Sequence, residues 1–302
     1  MTYEQRIKNL SVPQGRIDVV LDTDAYNEID DQFAISYLIK SKEKLNTKAI
    51  YAAPFLNDKS VSPKDGMEKS YEEILKLLSF MNENVDVFKG SETFLYDEST
   101  PVISPAAQDL AERAKNYSPE NPLYVVAIGA ITNVASAILL NPDIIKNIVV
   151  IWLGGHALHY HHTKEFNMRQ DVSAARVVMQ SGSPFVQLPC MGVVSAFTVS
   201  KPELEYWLKG KNDLADYLAE NTIKEAESYA KGTAWTRVIW DVTAVAWLLN
   251  DSDRFMESRI IPTPVPTYDN FYAKDYNGYP MRYVYNIKRD KLMSDLFEKL
   301  TQ

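Results

Sequence analysis

From residue 17 to residue 188 the chain alternates apolar, β-branched runs with stretches of helical periodicity. Ile17–Leu21, Lys48–Ala53, Leu123–Ile128, Ile148–Leu153 and Pro184–Leu188 read as short buried strands. Asp31–Lys40, Gly66–Asn82, Thr132–Leu140 and Val172–Ser181 read as helices. Alternation of this kind predicts an α/β fold with an open, mostly parallel sheet flanked by helices. Helical patterning dominates through Ala246, and a Tyr/Pro-rich region follows. There Arg282–Asn286 reads as an edge strand, before a final helix over Asp290–Leu300. No repeat, low-complexity tract or linker divides the chain, so 1–302 is expected to form a single domain. Sheets of this type bind ligands outside the carboxyl ends of their strands, which directs attention to the polar residues there.

Composition narrows the picture. A 46% hydrophobic share over 302 residues supports one large core. No apolar run approaches the length of a membrane span, and the polar start MTYEQRIKNL has no signal-peptide core. The single cysteine, Cys190, rules out an intramolecular disulfide and fits a reducing cytoplasm. A formal charge of −8 argues against broad contact with nucleic-acid phosphates. Neither nucleic acid nor membrane is expected as a partner.

The first strand runs into an acidic cluster of Asp22, Asp24, Glu28, Asp30 and Asp31. These carboxylates repel one another if brought into one dry pocket. One explanation is structural: Asp30 and Asp31 cap the following helix, and the others sit in a solvated loop. The other is a hard cation, because calcium and magnesium take oxygen ligands.

Asp22-Thr23-Asp24 followed by Asp30-Asp31 resembles the D-x-D-P-G-x-D-D signature of nucleoside hydrolases. Here Ala25-Tyr26-Asn27-Glu28-Ile29 replaces Pro-Gly-x and makes the loop two residues longer. Further segments match in order. Gly129–Ala135 resembles G-P-L-T-N-L-A, and Trp152-Leu153-Gly154-Gly155 resembles the M-G-G strand end. Glu165-Phe166-Asn167 with Asp171 and Ala174-Ala175 resembles E-F-N…D-P-E-A-A. Trp240–Val245 resembles H-D-x-x-A-V. The likeness covers roughly the first 250 residues.

The resemblance implies calcium-dependent hydrolysis of an N-riboside, releasing ribose and base. It implies Asp24 as both metal ligand and general base, with Asp31, Asp241 and the carbonyl of Ile128 as further ligands. Asp30, Glu165 and Asn167 match ribose-binding positions, where carboxylates and an amide suit adjacent hydroxyls. Asp22 would orient the loop. For Glu165 and Asn167 the plain alternative is a turn pair capping a helix. The likeness also implies a homodimer or homotetramer, a small-molecule riboside substrate and a role in purine or pyrimidine salvage.

The pattern breaks on the base side. Family members active on purines commonly carry a histidine before the last metal aspartate, as leaving-group acid; here that position is Trp240. An indole has no proton to give near neutral pH, but it can stack on a base or fill the core. All four histidines lie in one stretch, His156, His159, His161 and His162. His159, His161 and His162 are candidate leaving-group acids, since imidazole titrates near neutrality. A zinc site or a solvated loop are the alternatives. Tyr160, Tyr229, Trp235 and Arg237 are candidate base contacts. The family's Gly-Asn after the second strand is absent, and Asn57 is the candidate substitute.

Two other functions compete. Asp22-Thr23-Asp24 also resembles the D-x-D of haloacid-dehalogenase phosphohydrolases, although Tyr26 stands where that class wants Thr or Val. A calcium-containing nucleoside- or ribose-binding protein without turnover is the other alternative.

Overall fold

The computed structural model describes residues 1–302 and centres on an eight-stranded sheet. Six of its strands are β1 (Ile17–Thr23), β2 (Leu45–Ala52), β3 (Asp86–Lys89), β4 (Leu123–Ala127), β5 (Ile148–Leu153) and β6 (Phe185–Leu188). Next come β7 (Thr198–Ser200) and β8 (Thr236–Val238), which pair as a separate antiparallel ribbon. The sheet is completed by β9 (Met256–Pro262) and β12 (Pro280–Ile287). Between them β10 (Val265–Pro266) and β11 (Tyr272–Ala273) form a small hairpin.

The sheet order is β3-β2-β1-β4-β5-β6-β12-β9, and every pairing is parallel except β12 with β9. The expected parallel, helix-flanked sheet is therefore present. One expectation changes. Arg282–Asn286 lies in β12, which is an interior strand; β9 forms antiparallel pairs along its outer side and is itself the edge.

Alternating side chains explain the two layers of core. Val19, Leu21, Val149 and Ile151 point into one apolar cluster, and Val20, Ile148, Val150 and Trp152 into the other. Helices Ile29–Lys40, Pro63–Met81, Asp213–Ala230, Val242–Leu248 and Arg289–Leu300 cover the first layer. Helices Pro105–Arg113, Thr132–Leu140 and Val172–Gln180 cover the second. No helix is long and apolar enough to cross a membrane.

The connection order reverses beside β1, with β2 and β3 on one side and β4 onward on the other. A crevice opens at the carboxyl ends of strands at such a switch point. Asn133, in the first turn of Thr132–Leu140, ties the crevice together. Its Nδ2 donates to Asp22 Oδ1 (2.7 Å) near the end of β1 and to the carbonyl of Ala52 (3.2 Å) ending β2. Its Oδ1 accepts from the backbone N–H of Ser91 (2.7 Å) beyond β3.

Removing this amide leaves Asp22 and Ser91 buried without their partner. Asn133→Ala is expected to lower unfolding stability by about 3 kcal/mol, measured by urea denaturation; a loss below about 0.5 kcal/mol would show that the tie is dispensable.

Candidate active site

The floor of the crevice is built by two helix starts and one strand end. β1 leads to Asp24, and Asp30 and Asp31 occupy the first turn of Ile29–Lys40. Asp241 stands at the N-cap of Val242–Leu248, a helix packed against Ile29–Lys40. Unpaired N–H groups at helix starts favour negative charge there. Carboxylate oxygens of Asp30, Asp31 and Asp241 all lie within 4.8 Å of one another. Asp24 lies outside this closest trio but lines the same pocket. All four side chains are buried.

Crowding shows in their proton affinities. Burial raises Asp24, Asp31 and Asp241 well above the usual carboxylate range, and the neighbouring carboxylates raise them further. Asp30 is pushed up to about 7, first by burial and then by Glu28, while Arg237 pulls it back. Asp22 also reaches about 7 through burial, opposed by its bond from Asn133. Only a few donors reach these acids. Thr23 Oγ1 donates to Asp31 Oδ1 at 2.5 Å. Asp22 Oδ2, Asp24 Oδ2 and Asp30 Oδ1 are buried with no hydrogen-bond partner. Buried oxygens of this kind in an all-oxygen donor set fit a hard divalent cation.

One wall is supplied by the segment after β5. Glu165 caps the helix Phe166–Gln170, accepting from the N–H groups of Asn167 (2.8 Å) and Met168 (2.9 Å). It also accepts from the N–H of Gly155 at 2.9 Å. Burial raises its proton affinity, and these three N–H groups oppose the rise. Capping and pocket-lining thus coexist in this residue. Asn167 Nδ2 donates to the carbonyls of Ile128 (2.9 Å) and Leu153 (3.0 Å), bridging β4 and β5. The carbonyl of Ile128 keeps a second lone pair. Asp171 is structural: it caps Val172–Gln180 and accepts from Leu95 N–H and Thr132 Oγ1.

The pocket is open to solvent and has a cavity volume of about 190 Å³. Trp240 lines it and packs against the core with its remaining surface. Of the histidines, His156 lines the pocket; His159 and His161 are exposed and His162 is half-buried in the loop beyond. His159 rests against Gly192, and His161 and His162 pack on Tyr160. The structure thus places His156 at the pocket, and not the three histidines expected there, His159, His161 and His162. The histidines form no metal-ligating group. Asn57 sits behind the wall, donating from Nδ2 to Asn27 Oδ1 at 2.6 Å, and Asn27 is the residue that reaches the pocket. Tyr160, Tyr229 and Trp235 do not line it. Arg237 is likewise outside, paired with Glu28 (2.6 Å) and Glu225 (3.4 Å). Lys164, Phe166, Cys190 and Met191 line the pocket without having been singled out from sequence as contacts.

Comparisons with known proteins agree with this geometry. The family model of the inosine-uridine preferring nucleoside hydrolases matches residues 19–282. The chain is 27% identical over 262 residues to the non-specific ribonucleoside hydrolase RihC of Salmonella paratyphi B, covering 77% of this chain and 78% of that one. Among solved structures it is similar to the purine-preferring ribonucleoside hydrolase from Gardnerella vaginalis, with TM-score 0.75 and 20% identity over 94% of this chain and 98% of the other. It is also similar to the type III effector protein XopQ complexed with adenosine diphosphate ribose, with TM-score 0.73 and 14% identity over 99% and 96% of the two chains. The structural likenesses establish the fold, and the family match leaves the phosphohydrolase reading of Asp22-Thr23-Asp24 without support. With a matching family model across most of its length, the chain belongs to the inosine-uridine preferring nucleoside hydrolase family.

Proposed function

We propose that this chain hydrolyses the N-glycosidic bond of a ribonucleoside or related N-riboside, releasing ribose and base, with calcium as its ion. The observation that carries the reading is the buried convergence of Asp24, Asp30, Asp31 and Asp241 beside Glu165 and Asn167, with unpartnered oxygens on Asp24 and Asp30. Asp24, Asp31 and Asp241, with the carbonyl of Ile128, would hold the cation. When bound, the ion supplies the positive charge that lets neighbouring carboxylates ionise together and makes water easier to deprotonate. An all-oxygen donor set favours calcium over a softer metal.

The chain's own groups divide the remaining work. Asp24 takes a proton from the water that adds to the anomeric carbon. Asp30 offers its unpartnered Oδ1 to a ribose hydroxyl. Asn167 spends its NH₂ on two carbonyls, which leaves Oδ1 as the acceptor for another hydroxyl. Glu165, held in place by its three N–H donors, adds negative charge beside the sugar. Positive charge gathers on the sugar as the C–N bond breaks, and the surrounding carboxylates stabilise it. Trp240 provides a stacking face for the base.

Trp240 also favours a second reading, binding without turnover, because it replaces a titrating residue by one that cannot release a proton. Reducing-sugar release from a ribonucleoside panel, including ADP-ribosyl compounds, separates the two. Membership further suggests a homodimer or homotetramer, cytoplasmic residence and a place in nucleoside salvage.

Asp24→Asn is expected to lower kcat by about 10³-fold with little change in KM; unchanged kcat would remove Asp24 as the base. Chelation is expected to abolish sugar release and calcium to restore it; full activity after exhaustive chelation would contradict a metal requirement.

A pH dependence follows from the raised carboxyls. Asp22 and Asp30 shift from a usual 3.8 to about 7 on folding, so the folded chain binds more protons between those values. Stability of the metal-free protein from these groups falls as pH climbs through that window and levels off above it. Calcium held beside them by Asp24, Asp31 and Asp241 would favour the ionised forms and oppose the loss. The rise in Tm on adding calcium is expected to be larger at pH 8 than at pH 5, read by differential scanning fluorimetry; equal shifts would contradict carboxylate binding.

A further inference from the structure

The carboxylates of the pocket are committed to sugar and ion, which leaves the departing base to other groups. Apart from the carboxylates, three lining side chains are titratable: Lys164, Cys190 and His156. Lys164 is exposed at the mouth, and the Cys190 thiol is engaged with Glu165. His156 is buried and held from several directions.

The chain reaches it through Gly155, whose φ of +73° suits glycine. A Cβ at Gly155 would lie 2.0 Å from the Tyr272 hydroxyl, so no other residue fits. The N–H of Gly155 donates to Glu165 Oε2 (2.9 Å), and its carbonyl accepts from Cys190 N–H (2.9 Å). On the other side Ala157 N–H donates to the carbonyl of Met191 at 3.0 Å. The imidazole itself is fixed by Met191 N–H, which donates to His156 Nδ1 at 3.3 Å. With Nδ1 accepting, the neutral ring carries its proton on Nε2. That bond to Nδ1 is the one the ring makes within the protein, so Nε2–H is free to donate to a ligand. Burial, followed by His162 and His161, lowers the pKa of His156 to about 4, which keeps the ring neutral at pH 7.

We infer that His156 is a catalytic residue that donates its Nε2–H hydrogen bond to the departing base, at the acceptor atom where the electron pair of the broken bond collects. The inference rests on the N-riboside hydrolase reading and deepens it. The C–N bond breaks with its pair going to the base, and a bond forms between the anomeric carbon and the water oxygen. The base takes up one proton from solvent, Asp24 returns to solvent the one it removes from the attacking water, and His156 keeps its own. The substrates this favours carry an acceptor nitrogen or carbonyl oxygen beside the glycosidic nitrogen, as purines and pyrimidinones do. A donor on a pocket-lining ring held by a backbone hydrogen bond is preorganised for charge that develops only as the bond breaks.

The test compares ribonucleosides with p-nitrophenyl ribofuranoside, whose leaving group departs without assistance. His156→Phe is expected to lose about 10²-fold in kcat on ribonucleosides but less than about 3-fold on the nitrophenyl riboside. His156→Gln, which keeps an N–H donor, is expected to recover part of the ribonucleoside loss, and it serves as the test variant if the phenylalanine protein does not fold. Equal losses on both substrate classes would assign His156 to structure alone, and no loss on ribonucleosides would remove it from the reaction. Either result overturns the inference. Wild-type protein inert toward both classes would instead overturn the hydrolase reading, and the inference with it.

Discussion

Four buried carboxylates around one pocket cannot all carry charge unless something positive joins them. This electrostatic constraint organises the site. Asp24, Asp30, Asp31 and Asp241 sit where water is scarce, and their neighbours raise one another's proton affinity. Side-chain donors give little relief: Thr23 serves Asp31, while Asp24 and Asp30 each keep a buried oxygen without a partner. Such an arrangement weakens an ion-free fold and persists where function compensates for it.

The scaffold concentrates these charges by topology. The reversal of strand order at β1 opens the crevice, and Asn133 holds the ends of β1 and β2 and the segment after β3 around it. Asn167 performs a related task between Ile128 and Leu153, and Glu165 clamps Gly155. That wall of the pocket is thus built from hydrogen bonds that leave particular lone pairs free. The Trp240 indole, Met191 and His156, whose imidazole accepts from Met191 N–H, line another part of it.

Much of this was legible in the residues. Interior strands such as Ile148–Leu153 are buried on both faces and read as continuous apolar runs, so the parallel sheet was evident. The acidic cluster was legible because like charges at close spacing call for a chemical reason. Strand β9 was hidden because Glu257, Ser258 and Arg259 interrupt its apolar pattern at a sheet edge. Strand β3 is only four residues long. Helix Pro105–Arg113 carried a start signal, Ser104-Pro105, with the Ser104 hydroxyl accepting from Ala107 N–H. That His156 rather than its three neighbours lines the pocket was not legible, and its ring is held by Met191, 35 residues further along, which no local pattern encodes. The exchange of Asn57 for Asn27 follows from the lengthened loop after Asp24, which carries Asn27 to the pocket and leaves Asn57 as its support.

The divalent ion proposed to be held by these acids can be counted. Its most direct measurement is the calcium content of purified protein after equilibration in calcium and removal of free ion, by elemental analysis. The expected result is about one calcium per chain in wild type and close to none in the Asp31→Asn, Asp241→Asn double variant that retains its fold. Equal calcium in both proteins, or none in wild type, would contradict the claim.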